Sequence, residues 1–263
     1  MSSLKDGCNM RRGAAIVIFF ILTFVFCFNS FAERSEMCWY CLRSGNRQPN
    51  VTREEKLISS YGGISVDRSV NDSSDRKVIY LTFDAGYENG NTEKIVDAMN
   101  ERGVKGAFFI LSNFVLKNKE LTKKIADSGH TVCNHTSKHE NISDYTKEMI
   151  SECLGRLEDV YTECTGRKMT KFFRFPEGKY SESALQSINE LGYTPVFWSF
   201  AYEDWNNGKQ PSEDGAMKKI LDNTHNGAIF LFHPTSETNA RIFPRLLDAW
   251  SDMGYSFGTL DQI

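Results

Sequence analysis

No basic stretch interrupts this chain. Lysine and arginine total 31 against 34 acids, for a formal charge of −3, and they form no cluster. The electrostatic footprint of a nucleic-acid-binding protein is therefore missing. A phosphate-cradling loop is missing too. The first strong apolar run leads into Gly86-Tyr87-Glu88-Asn89-Gly90 rather than GxGxxG, which disfavours a nucleotide-binding sheet. Cys38-Trp39-Tyr40-Cys41 has redox spacing, but no strand precedes it and no βαβ pattern surrounds it. A local disulfide or idle thiols outrank a catalytic pair there. Histidine is scarce, with five in 263 residues, so the position of each one is informative.

The longest apolar run, Ala14 to Phe28, follows Lys5, Arg11 and Arg12 and precedes Ser30-Phe31-Ala32. That is the pattern of a signal peptide over residues 1–32. The run is short of the roughly 20 residues of a membrane span. Phe31 and Ala32 nearly complete it, so an uncleaved anchor through residues 14–32 stays open. Either way the remainder is expected outside the cytoplasmic membrane, secreted or anchored. Residues 33–75 are polar and mixed and read as a linker or strap, with one short helix at Thr52–Tyr61. Residues 76–263 are expected to form one domain, long enough for a full core.

In that domain, strand-like runs alternate with helical patterns. The strands are expected at Lys77–Phe83, Gly106–Leu111, His130–Cys133, Lys171–Phe175, Thr194–Phe200, Ala228–Phe232 and Tyr255–Thr259. Between them fall helices near Asn91–Arg102, Lys119–Asp127, Ser143–Cys164, Ser181–Leu191, Pro211–Asn223 and Pro244–Met253. In the longest helix Met149, Ile150, Cys153, Leu157, Val160, Tyr161 and Cys164 recur at three- and four-residue steps, giving a core stripe. Ser143 is its expected N-cap. Alternation of this kind implies a parallel sheet with helical crossovers, and the fold class is α/β, a distorted (β/α) barrel of about seven parallel strands. In such a barrel the C-terminal ends of the strands face the active site.

Polar residues gather at those ends. The first strand delivers Asp84, and Asn134-His135-Thr136-Ser137-Lys138-His139 follows the third. Arg174-Phe175-Pro176-Glu177-Gly178 ends the fourth, Asp204-Trp205 follows the fifth, and His233-Pro234 the sixth. Three histidines, Asp84 and Asp204 thus meet on one rim. His130 and His225 sit at the opposite rim and read as structural or solvated. His135 and His139, spaced i, i+4, would share one face of a helical turn, as a divalent metal requires.

These motifs, in this order, resemble the polysaccharide deacetylases of the NodB-homology type (carbohydrate esterase family four) over about residues 77–263. Within that family, Phe83-Asp84-Ala85-Gly86-Tyr87-Glu88-Asn89-Gly90 and Val196-Phe197-Trp198-Ser199 resemble the PdaA-type delta-lactam-biosynthetic de-N-acetylases. The resemblance implies Asp84 as general base and His233 as general acid, with Arg174 holding Asp84 and Asp204 orienting His233. It implies a divalent metal, zinc by ligand type, on His135 and His139. Trp205 and Leu231 would wall the acetyl methyl, the backbone N–H of Glu177 would stabilise the oxyanion, and Tyr87 would meet substrate. Ala85 departs from the second aspartate that most of the family uses to complete its metal site, which leaves two imidazoles and water. The expected substrate is a peptidoglycan glycan strand, acted on by a monomer at N-acetylmuramic acid on the way to muramic δ-lactam in spore cortex. The alternatives are deacetylation of chitin-like or glucosamine glycan, acetyl-ester hydrolysis, and a catalytically dead wall-binding module.

Overall fold

The computed structural model describes residues 35–263, so the expected export segment lies outside the described residues. Among the described residues no helix is long and apolar enough to cross a membrane. The chain opens with β1 (Met37–Cys38) and α1 (Arg53–Ser60), then alternates: β2 (Val78–Ala85), α2 (Thr92–Glu101), β3 (Ala107–Ile110), α3 (Ser112–Lys117), α4 (Lys119–Asp127), β4 (Thr131–Asn134) and α5 (Lys147–Thr165). There follow β5 (Phe172–Phe173), β6 (Lys179–Tyr180), α6 (Glu182–Glu190), β7 (Thr194–Pro195), α7 (Glu213–Leu221), β8 (Ala228–Phe232), α8 (Glu237–Asp252) and β9 (Ser256–Gly258).

Seven strands form one sheet in the order β7-β5-β4-β3-β2-β8, with β9 beside the start of β2. Every pairing in it is parallel. Val78, Ile79, Tyr80, Leu81 and Phe83 are all buried, because helices cover one side of the sheet and its own curl encloses the other. Beyond β7 the backbone of Phe200 bridges Phe230 in β8, and the Leu231 N–H donates to the Phe200 carbonyl at 2.9 Å. This closure makes the sheet a distorted (β/α) barrel, as expected.

Three local expectations need correction and a fourth is narrowed. The strand expected over Thr194–Phe200 is regular only at Thr194–Pro195, because its neighbour β5 offers only Phe172 and Phe173 to pair with it; Val196 and Phe200 pair only as single bridges. The long helix starts at Lys147, capped by Thr146, whose hydroxyl accepts from the Met149 N–H at 3.3 Å. Ser143 instead donates its hydroxyl to Glu36, and Met149 falls on the exposed side of the first turn. The last helix begins at Glu237 behind a Ser236 cap, and Pro244 lies inside it. Burial of Phe243, Leu246, Leu247 and Trp250 offsets the hydrogen bond that an interior proline cannot make. His130 and His225 are both buried and structural rather than solvated: His130 Nδ1 accepts from the Gly106 N–H at 3.2 Å, and His225 Nε2 lies 2.9 Å from the Ser199 hydroxyl.

The strap lies on the barrel. β1 pairs antiparallel with β6, the Trp39 N–H donates to the Gly178 carbonyl at 2.8 Å, and the Trp39 indole donates to the Trp198 carbonyl at 3.0 Å. Gly178 has φ +67°, and a Cβ there would stand 2.9 Å from the Trp198 ring. Only glycine combines that conformation with so close an approach.

Candidate active site

β2 runs two residues further than its apolar run, so Asp84 sits in its last rungs, opposite Phe109 of β3. Arg174 reaches it from the turn after β5. Its Nη1 donates to Asp84 Oδ1 at 2.8 Å, its Nη2 to Thr82 Oγ1 at 2.8 Å, and its Nε to the Val196 carbonyl at 3.1 Å. The guanidinium carbon lies 4.2 Å from the centre of the Phe109 ring. Arg174 is fully buried, and a surface ion pair is therefore excluded. Burial by itself would raise the Asp84 carboxyl, but the Arg174 charge, with His135 and His233, outweighs it and holds Asp84 below its ordinary value. Asp84 is thus an ionised carboxylate with one oxygen clamped and the other, Oδ2, facing His135 Nε2 at 3.5 Å.

His233, at the end of β8, is held by Asp204 at two points. Its Nδ1 lies 2.7 Å from Asp204 Oδ1, and its backbone N–H donates to Oδ2 at 2.9 Å. Burial opposes protonation of His233, but the Asp204 charge and hydrogen bond prevail and raise it above the ordinary histidine value. Asp204 is itself fully buried. The Asn239 side chain donates to Asp204 Oδ2 at 2.7 Å, and the Tyr202 hydroxyl donates to Asn239 Oδ1. Asn239 lies in the first turn of α8, where its sequence context shows only a helix start. Thr82 and Asn239 both act through a neighbour, and the sequence reading gave neither a role.

His135 and His139 come together without a helix. Residues 135–139 form a loop, pinned where Asn134 Oδ1 accepts from the Thr136 N–H at 2.9 Å and Thr136 Oγ1 accepts from the Glu140 N–H at 2.9 Å. Thr136 and His139 take φ of +69° and +62°, so a twisted loop, not the i, i+4 register, sets their ring centroids 5.0 Å apart. Glu177, at φ +57°, is the third non-glycine residue in this strained region among those described. All three lie at the site, where backbone strain tends to collect.

Burial lowers His135 to about 4, so its imidazole is neutral, and Nδ1 is engaged by the Arg174 carbonyl at 2.9 Å. That leaves Nε2 as the free nitrogen, the arrangement of a metal-ligating histidine. Among the described residues no group of three or more His, Cys, Asp and Glu is arranged to hold a metal, and Ala85 is buried in the apolar core with Phe83 and Ile110. The residues fit a divalent ion held by two imidazoles, with no carboxylate dedicated to it.

A cavity of about 880 Å³ opens over this rim. Asp84, His139, Glu177, Trp205, Leu231 and His233 line it, while His135, Arg174 and Asp204 stand behind its surface. The Trp205 ring lies 5.6 Å from that of His233. Glu177 pairs with Lys179 at 2.7 Å. Tyr87 is exposed, accepts from the Asn207 side chain at 3.1 Å, and does not line the cavity. The wall that sequence reading missed is the strap: Trp39, Tyr40, Cys41, Leu42 and Arg43 line the same cavity. No periodicity marks those residues. Cys38 and Cys41 are free thiols, and burial raises Cys41 above its ordinary value.

Residues 71–196 match the polysaccharide deacetylase family. The chain is 33% identical to the peptidoglycan-N-acetylmuramic acid deacetylase PdaA of Bacillus subtilis over 227 residues, 86% of this chain and 84% of that protein. It is 31% identical to the peptidoglycan-N-acetylglucosamine deacetylase PgdA of Listeria monocytogenes over 188 residues, 71% of this chain and 39% of that protein. The solved structure of Bacillus subtilis PdaA, described as a family 4 carbohydrate esterase, is similar with a TM-score of 0.82 at 31% identity, covering 87% of this chain and 97% of that one.

Proposed function

The chain belongs to the polysaccharide deacetylase family, hydrolases of N-acetyl amide bonds, and we propose that its substrate is peptidoglycan and its target the N-acetyl group of muramic acid. The observation that carries a working hydrolase is the pairing of two supported groups on one cavity: an ionised Asp84 held by Arg174, and His233 held by Asp204, which favours its protonated form. Binding alone has no use for a separated base and acid, which argues against an inert wall-binding module. Similarity to PdaA over most of both chains supports muramic acid as the target. Similarity to PgdA keeps N-acetylglucosamine as the second reading.

Amide hydrolysis needs a deprotonated water and a protonated leaving amine. Asp84 takes the proton of the attacking water through its unclamped oxygen. His233 gives its proton to the departing nitrogen, and Asp204 keeps it charged until then. The backbone N–H of Glu177 offers a donor to the oxyanion, while Leu231 and Trp205 enclose the acetyl methyl. His135 and His139 would hold a divalent metal, zinc by ligand type, which supplies carbonyl polarisation and a water of lowered pKa. Acetate leaves, and the freed amine stands beside the lactyl carboxyl of muramic acid, from which a δ-lactam closes with loss of water. This chemistry belongs to a cell-wall enzyme of spore cortex, delivered outside the cytoplasmic membrane by residues 1–32.

Mass spectrometry of purified, peptide-free peptidoglycan fragments tests this reading. Muramic residues are expected to lose acetyl, and Asp84→Asn should slow the loss by roughly 100- to 10,000-fold with the fold intact. Loss from glucosamine alone would favour the second reading. No loss from either sugar would refute the proposal.

A further inference from the structure

The strap places a cation in the cavity that the acid–base chemistry does not use. Arg43 is the one arginine or lysine among the residues lining it. Its Nη2 donates to the Ala201 carbonyl at 2.7 Å, and its guanidinium carbon lies 5.4 Å from the centre of the Phe200 ring. Those contacts fix its position but leave the rest of the donor fork free. The cavity's other charges are mostly accounted for. Asp84 is paired with Arg174, and Glu177 with Lys179. Glu203 is exposed and makes no ion pair with Arg43. A guanidinium held at the cavity's edge between the Phe200 ring and the Ala201 carbonyl, with no carboxylate partner among the described residues, is suited to a carboxylate that arrives with a ligand.

We propose that Arg43 is the specificity-determining residue of this enzyme, recognising the free lactyl carboxylate of an N-acetylmuramic acid residue. The inference rests on the muramic reading above and deepens it. In muramic acid the lactyl ether sits on the carbon next to the one bearing the N-acetyl group, so its carboxylate lies close to the amide under attack. Arg43 is anchored to Ala201, at the start of the short segment that ends in Asp204, the partner of His233. One connection therefore sets both the acid and the cation. Glucosamine offers only a hydroxyl at that carbon. A muramic residue still carrying its stem peptide offers an uncharged amide. Arg43 thus selects muramic acid over glucosamine and stripped strands over peptide-bearing ones.

The test compares kcat/KM on peptide-free glycan strands and on the same strands with their lactyl carboxylates methyl-esterified, for the wild type, Arg43→Gln and Arg43→Lys. The wild type should prefer the free acid by roughly 10- to 100-fold, the worth of one charged hydrogen-bonded pair. Arg43→Gln should lose that preference while changing turnover of the ester by less than about threefold. Arg43→Lys, which keeps the charge but not the fork, should retain part of it. Equal wild-type rates on acid and ester, or a preference that survives Arg43→Gln, would overturn the assignment. So would a loss in Arg43→Gln that falls equally on both substrates. If the wild type deacetylates muramic residues in neither strand, the muramic reading itself fails, an outcome distinct from all of these.

Discussion

Asp204 shows how much one side chain can decide. It touches no part of the cavity surface, yet its charge raises the His233 pKa against the burial that would lower it. Because the folded value is raised, this pair stabilises the protein fully below the ordinary histidine pKa of about 6.5. That contribution is lost as pH rises through the higher folded value. Asp204→Asn keeps the shape but removes the charge, leaving burial to dominate. The alkaline limb of the kcat/KM profile should then move to lower pH, with activity at neutral pH down roughly tenfold or more; an unmoved limb would show that Asp204 does not set the acid. At His135 and His139 the prediction concerns binding. Calorimetric titration with zinc should show one site, weakened roughly tenfold or more in His135→Ala and in His139→Ala. An undiminished site in the double variant would place the metal elsewhere.

The strap is the element whose importance was least visible. Its residues read as a linker or strap, and its sequence shows neither the alternation of a strand nor the period of a helix beyond Thr52–Tyr61. Several contacts hold it on the barrel, among them the β1–β6 ladder, the Ile64–Val196 bridge and one buried indole. Trp39 is buried, packs on Phe197 with ring centroids 5.3 Å apart, and donates to the Trp198 carbonyl. Trp39→Ala should cost about 3–5 kcal/mol of stability, read from the denaturant midpoint, because it opens a cavity and strands that carbonyl. A cost under about 1 kcal/mol would mean that the strap is held by other contacts. The helices were more legible. Lys119–Asp127 matches its expected bounds, and Gly166 ends α5 in the left-handed conformation at φ +71°, as a glycine after an apolar stripe should. The two misjudged starts have different causes: Ser143 and Thr146 both precede α5 and packing chooses which one caps, whereas Pro244, expected to open the last helix, lies inside it.

For the molecule as a whole, the sequence by itself determined the barrel and the membership of its rim. Buried parallel strands must be written as continuous apolar runs, and the polar residues that end them stand out against those runs. Asp84, His135, Arg174, Asp204 and His233 were therefore readable before any coordinates. What the tertiary structure alone decided is how these residues are partnered and what faces them. Thr82 clamping Arg174, Asn239 clamping Asp204, and Arg43 crossing from the strap to Ala201 join positions 92, 35 and 158 residues apart. Contacts across such distances leave no local pattern, because they depend on where the curl of the sheet returns the chain. The two imidazoles make the same point. Their i, i+4 spacing suggested a helix, but a loop with two left-handed residues brings them together, pinned by the buried Asn134.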